Sequence, residues 1–263
     1  MENIILSVMY FAVGVITVYL LSKALRLHPK PLTTERPRQE AMAAILVFVA
    51  VLVVTFALVA FYHGVFNPAF QLDKRPPFTV DIIDMLWTAL FYTALILPVA
   101  VAMKITKQSL GSIGISAENK ERLLALGFAF SAILLTVLGL LASSLGEGFK
   151  GFSLSLAYGL VVHVIVGFSE ETVFRGYIQT RLVAYSGTFK GLLITSLLFV
   201  LFHLPTYYFQ TGDVLEGSAL ALLRFPVGLL LGYVMIRSQN IIPSSIIHLF
   251  TNWGGLVVFQ IYF

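Results

Sequence analysis

Three short clusters hold the side chains that could do chemistry: Glu170-Glu171-x-x-x-Arg175, Phe199-x-x-x-His203 and His248-x-x-x-Asn252. A carboxylate beside an imidazole can take a proton from water, and an imidazole with an amide can donate hydrogen bonds to a developing oxyanion. On a helix Glu171 and Arg175 are i,i+4 neighbours that pair, whereas Glu170 is rotated about 100° away and has no local cation. The same spacing puts His248 and Asn252 on one face. Each cluster also has a plainer role: charges anchoring a helix end at the headgroups, a packed core histidine, or polar glue between membrane helices worth roughly 0.6–2 kcal/mol. Of the other histidines, His28 lies in a basic loop and His63 near a span end, while His163 is seven residues before Glu170 and shares its helix face.

These clusters sit in a chain of 263 residues that is 58% apolar and 11% charged. A soluble domain carries roughly 25% charged residues, so a soluble globular protein is excluded. With no cysteine there is no disulfide, thiolate nucleophile or cysteine-bound metal. The net charge of +4 resides in short loops between apolar runs, which fits the anionic face of a membrane lipid bilayer and not nucleic acid. The first apolar stretch has neither a basic leader nor a small-residue cleavage site, and reads as a retained span.

A helix needs about 20 apolar residues to cross roughly 30 Å of hydrocarbon. Eight runs qualify: Ile4–Leu27, Ala41–Phe66, Ile82–Met103, Leu123–Leu145, Phe152–Phe168, Gly191–Phe209, Ala219–Ile236 and Ile241–Phe263. The fifth continues through the carboxylates to about Val183, apolar at one end and polar at the other. The alternation of barrel strands is missing. The predicted class is therefore an all-α polytopic membrane protein, a single membrane domain over 1–263 in which 154–263 carries the clusters. The odd-numbered connections hold 13 basic residues and the even ones 4, Lys74, Arg75, Lys150 and Arg224. That asymmetry places the odd connections in the cytoplasm and both termini outside. Pro29, Pro31 and Pro37 mark the first connection as a solvated linker, as Asp73-Lys74-Arg75-Pro76-Pro77 does the second.

Several intramembrane chemistries fail on inspection. No H-E-x-x-H is present, Gly167-Phe168-Ser169-Glu170-Glu171 lacks the last glycine of G-x-S-x-G, and Gly212-Asp213 lies in a connection without a second catalytic aspartate in a span. A proton-coupled transporter would show paired broken helices in two corresponding halves, and none is visible. Water activated directly by glutamate and histidine remains, or a metal held by the same residues.

In their order on a multi-span chain the three clusters, with Phe225-x-x-Gly228-x-x-x-Gly232 between the last two, resemble the CPBP intramembrane protease family. That family includes CAAX prenyl endopeptidases and bacteriocin-processing or self-immunity (Abi) proteins, and the resemblance runs from about Leu154 to the C-terminus. It implies about eight helices around a cytoplasm-facing cavity and a membrane-anchored or prenylated peptide substrate. It assigns Glu170 and His203 to water activation, His248 and Asn252 to the oxyanion, and Glu171 and Arg175 to orienting the site. No cofactor is required on this assignment. The alternative within the family is a zinc site built from Glu170 and the two imidazoles, and a non-catalytic immunity or scaffold protein would keep the same residues. One geometric demand follows. Counted from Lys190, His203 is about 20 Å along its helix, so meeting Glu170 requires that helix to project into the cytosol or tilt strongly.

Overall fold

The computed structural model describes residues 2–28, 31–32, 34–65, 82–144, 151 and 153–259. Pro29, Lys30, Phe66, the Asp73–Pro77 linker, Leu145, Lys150, Phe152 and the last span beyond Phe259 lie outside them. All regular structure among the described residues is helical: α1 (Glu2–Ala24), α2 (Pro37–Val65), α3 (Ile82–Ile105), α4 (Lys120–Ser144), α5 (Leu154–Glu171), α6 (Thr180–Ser186), α7 (Thr188–Thr211), α8 (Val214–Leu222), α9 (Arg224–Ser238) and α10 (Ile241–Asn252). Thr172–Gln179 and Trp253–Phe259 are π-helical, and Leu110–Ile113 is a 3₁₀ turn.

Local chemistry fixes the ends of these helices. Ser153 Oγ accepts from the Leu156 amide at 3.1 Å, Asp213 Oδ1 from the Glu216 amide at 2.8 Å, and Asn240 Oδ1 from the Ile242 amide at 2.9 Å. Each is a short polar side chain capping the first helical turn. Pro37 occupies the first position of α2, where its missing N–H costs nothing.

Six helical stretches are long and apolar enough to cross a membrane: Pro37–Gly64, Ile82–Ile105, Lys120–Ser144, Leu154–Ser186, Thr188–Thr211 and Val214–Ser238. The first helix contributes a shorter apolar stretch, Val8–Ala24. Leu46, Val53, Leu90, Leu97, Val137 and Leu140 point outward and are exposed, while Glu170, Glu171, Arg175 and His248 are buried. Apolar outside and ionisable inside is the distribution a hydrocarbon solvent demands. The chain is an integral, multi-pass membrane protein.

Two features position the clusters. The first is a hairpin of α6 and α7 turning at Gly187, whose φ of +84° favours glycine. A Cβ on Gly191 would lie 2.6 Å from the Val183 backbone, so the two arms cross in close contact there. Further along, the Arg175 guanidinium sits 4.3 Å from the centre of the Phe199 ring. Pairs 183/191 and 175/199 lie along one antiparallel hairpin, and the Phe199 ring, 4.6 Å from His203 and 6.1 Å from His248, links His203 to the site. The depth problem disappears for this reason. The arm from Glu170 to Gly187 runs 17 residues and the arm from Gly187 to His203 runs 16, so counting from Lys190 made His203 seem too deep.

The second feature is the seating of α10 between α4, α5 and α9. A Cβ on Gly167 would stand 2.9 Å from the Ser245 carbonyl oxygen and 3.2 Å from the Leu249 amide nitrogen. Glycine there brings α10 against α5 closely enough for His248 to reach the carboxylates. One expectation is corrected by the helices around the Gly212-Asp213 corner. Arg224, counted above with the sixth connection, lies inside Val214–Ser238, at the break between α8 and α9.

Candidate active site

Glu170 and Glu171 end α5, and the chain continues into eight residues of π-helix. In a π-helix the amide bonds reach back five residues, and such segments concentrate at functional sites. Here it turns Arg175 and Gln179 toward α9. Arg175 Nη2 donates to the Gly228 carbonyl at 3.3 Å and Gln179 Nε2 to the Gly232 carbonyl at 2.8 Å. The glycines of Phe225-x-x-Gly228-x-x-x-Gly232 thus serve as bare backbone acceptors for the π segment.

Arg175 and Glu171 pair at 3.4 Å, as their spacing predicts, with both residues 0% exposed. Glu171 also engages α10: its Oε1 lies 3.0 Å from His248 Nδ1. A carboxylate can only accept, so Nδ1 carries the proton and donates it, which leaves His248 Nε2 as the working nitrogen. That nitrogen is 3.8 Å from Glu170 Oε2.

Glu170 is 3% exposed, and its two oxygens differ. Oε1 accepts from the Tyr92 hydroxyl at 2.6 Å, whereas Oε2 has no hydrogen-bond partner among the described residues. Tyr92, on α3, is a site residue that sequence reasoning missed. It lies 78 positions upstream, and an aromatic in an apolar run carries no local signal.

His203 bonds to neither glutamate. Its Nδ1 donates to the Phe199 carbonyl at 2.8 Å, which again leaves Nε2 with a free lone pair. The ring packs edge-on against Phe199 and Phe202 and stacks on Tyr207 at 6.3 Å. Asn252, one turn beyond His248, is half-buried, and its amide has no hydrogen-bond partner among the described residues. His163 spends Nδ1 on the Gly159 carbonyl at 2.7 Å, and His63 stacks on Phe209, so neither contacts the carboxylates.

The structure thus gathers Glu170, Glu171, Arg175 and His248 by direct contact and brings His203 and Asn252 alongside. The donor set that a zinc ion would need is a different matter. Among the described residues no three His, Asp or Glu side chains are arranged to hold a metal ion. Glu171 occupies His248 Nδ1 and leaves Nε2 toward Glu170, and His203 is not within ion-pair distance of Glu170. A cavity of about 660 Å³ opens elsewhere, beside Glu40, Gln108, Ser112 and Arg181, and none of the cluster residues lines it.

Over residues 152–254 the chain matches a family described as Type II CAAX prenyl endopeptidase Rce1-like. No curated protein matches it. The matched stretch holds all three clusters, from before Glu170 to Asn252, and the family is one of membrane proteases.

Proposed function

We propose that this chain, which carries an Rce1-like type II CAAX prenyl endopeptidase domain over residues 152–254, cleaves a membrane-anchored, prenylated CAAX-type peptide with water activated by Glu170. The observation that carries the reading is Glu170 Oε2, a buried carboxylate oxygen left without a hydrogen bond and 3.8 Å from His248 Nε2. Such an oxygen is a base whose lone pairs the fold has not spent. In the proposed step Oε2 takes one proton of a water whose other hydrogen is accepted by His203 Nε2. The water oxygen bonds to the peptide carbonyl carbon, and the carbonyl oxygen becomes an oxyanion held by the Asn252 amide beside His248. The C–N bond then breaks, and Glu170 returns its proton to the leaving nitrogen. Glu171 fixes the imidazole of His248, and Arg175 balances the second carboxylate. No metal takes part.

Detergent-purified protein is expected to cut a farnesylated CAAX peptide once, beside its anchor, as read by mass spectrometry of the products. It should contain far less than one zinc per chain by elemental analysis and keep its rate after strong chelation. Zinc that tracks activity through removal and readdition would overturn the metal-free mechanism. No cleavage of the peptide at stoichiometric enzyme would overturn the peptidase reading itself.

The proposed orientation has both termini outside and the site reached from the cytoplasm, supported by a split of 13 to 3 in basic residues once Arg224 is set aside as lying inside a span. Gln39 is exposed just inside α2, and the chain has no native cysteine. Gln39→Cys in sealed vesicles should react with an impermeant maleimide only from the cytoplasmic side. Labelling from the opposite side would invert the topology.

A further inference from the structure

Arg224 is a cation inside a membrane-spanning segment, Val214–Ser238, at the break between α8 and α9. Ionisable groups at such depth pair with one another or mark a ligand path. No acidic side chain lies within ion-pair distance of Arg224 among the described residues. Its one hydrogen bond runs from Nε to the Tyr207 hydroxyl at 2.7 Å, and its guanidinium carbon is 5.6 Å from the centre of that ring. The bond through Nε fixes the plane of the guanidinium and leaves the Nη1/Nη2 end without a partner. Two parallel N–H donors in a plane match the two oxygens of a carboxylate.

The position of this fork is what gives it a role. Tyr207, which holds Arg224, stacks on His203. Arg224 is close enough to act electrostatically on both His203 and Tyr92, and Tyr92 is bonded to Glu170. A peptide with its carbonyl at Glu170 advances about 3.5 Å per extended residue, so a few residues carry its end to the fork. Among the described residues no acidic side chain meets the guanidinium there, which leaves the substrate to supply the anion. We infer that Arg224 binds the free C-terminal carboxylate of the peptide substrate and so selects cleavage sites close to a chain end. This rests on the endopeptidase reading above and adds the group by which the substrate is recognised.

The test compares two otherwise identical farnesylated peptides, one ending in a carboxylate and one in a carboxamide. Wild-type protein should favour the carboxylate about ten- to a hundredfold in kcat/KM, the range of a hydrogen bond to a charged group. Arg224→Gln should bring the ratio close to one, and Arg224→Lys should restore part of it. Equal cleavage of both peptides by wild-type protein, or an unchanged ratio in Arg224→Gln, overturns the inference. If Arg224→Gln does not fold, Tyr207→Phe removes the hydroxyl that fixes the fork and should lower the same ratio. Equilibrium binding of the two peptides to Glu170→Gln protein reads the carboxylate preference without hydrolysis. The inference therefore stands or falls there even if no turnover is seen, in which case only the peptidase reading is lost.

Discussion

Glu170→Gln is expected to lower kcat/KM by at least about 10²-fold while the protein still folds and binds its substrate. The substitution changes little in shape. A glutamine carbonyl oxygen can replace Oε1 as acceptor for the Tyr92 hydroxyl at 2.6 Å, so the side chain keeps its place. What is lost is the basic oxygen facing His248, for which an amide NH₂ is no substitute. The loss should appear in kcat and kcat/KM alike, because the proton is taken only as the transition state forms. Measured with the farnesylated peptide and checked by the thermal melt of the detergent-solubilised protein, full activity in Glu170→Gln would sink the mechanism. Tyr92→Phe should cost less, since it frees the carboxylate to wander without removing it.

The second large effect is on stability. Arg175→Met removes the guanidinium paired with Glu171 and leaves a carboxylate of 0% exposure held only by the His248 Nδ1–H hydrogen bond. Breaking a buried pair from one side costs about 3–5 kcal/mol. Phe199 adds to the loss, because its ring lies 4.3 Å from the guanidinium carbon. The double variant Arg175→Met with Glu171→Gln should regain much of that stability, because no unpaired charge is then buried. Unfolding in mixed micelles, followed by circular dichroism, gives the comparison. An Arg175→Met protein as stable as wild type would show that Glu171 does not depend on its i,i+4 cation.

The parts of the site that could be read from sequence are those governed by helical periodicity. Glu171 and Arg175 are one turn apart, and so are His248 and Asn252, which is why their shared faces were legible. The fold class followed from composition, since six stretches of this chain would be insoluble as free helices in water. Contacts between helices were not legible. Nothing in the spacing said that His248 Nδ1 would take Glu171 and leave Nε2 toward Glu170, or that Tyr92 would arrive from α3. The π segment was hidden as well, because a hydrophobic pattern averaged over 3.6 residues cannot show eight residues that wind more widely. Arg224 was counted with a connection although the run Ala219–Ile236 already contained it, and the break at Leu223 that separates α8 from α9 left no mark in the sequence.

The hairpin of α6 and α7 also constrains how such a chain can change in length. Glu170 stands 17 residues before Gly187 and His203 stands 16 after it, so the two reactive groups are set by arms that differ by a single residue, measured from one turn. One residue inserted in a single arm would slide His203 by about 1.5 Å and swing it through about 100°, away from the carboxylates. Equal insertions in both arms would move only the tip and leave the pairs above it undisturbed. Indels in this hairpin are therefore tolerable in pairs and not singly, and its outer end is where an evolving or engineered protein could acquire new contacts without retuning the chemistry below.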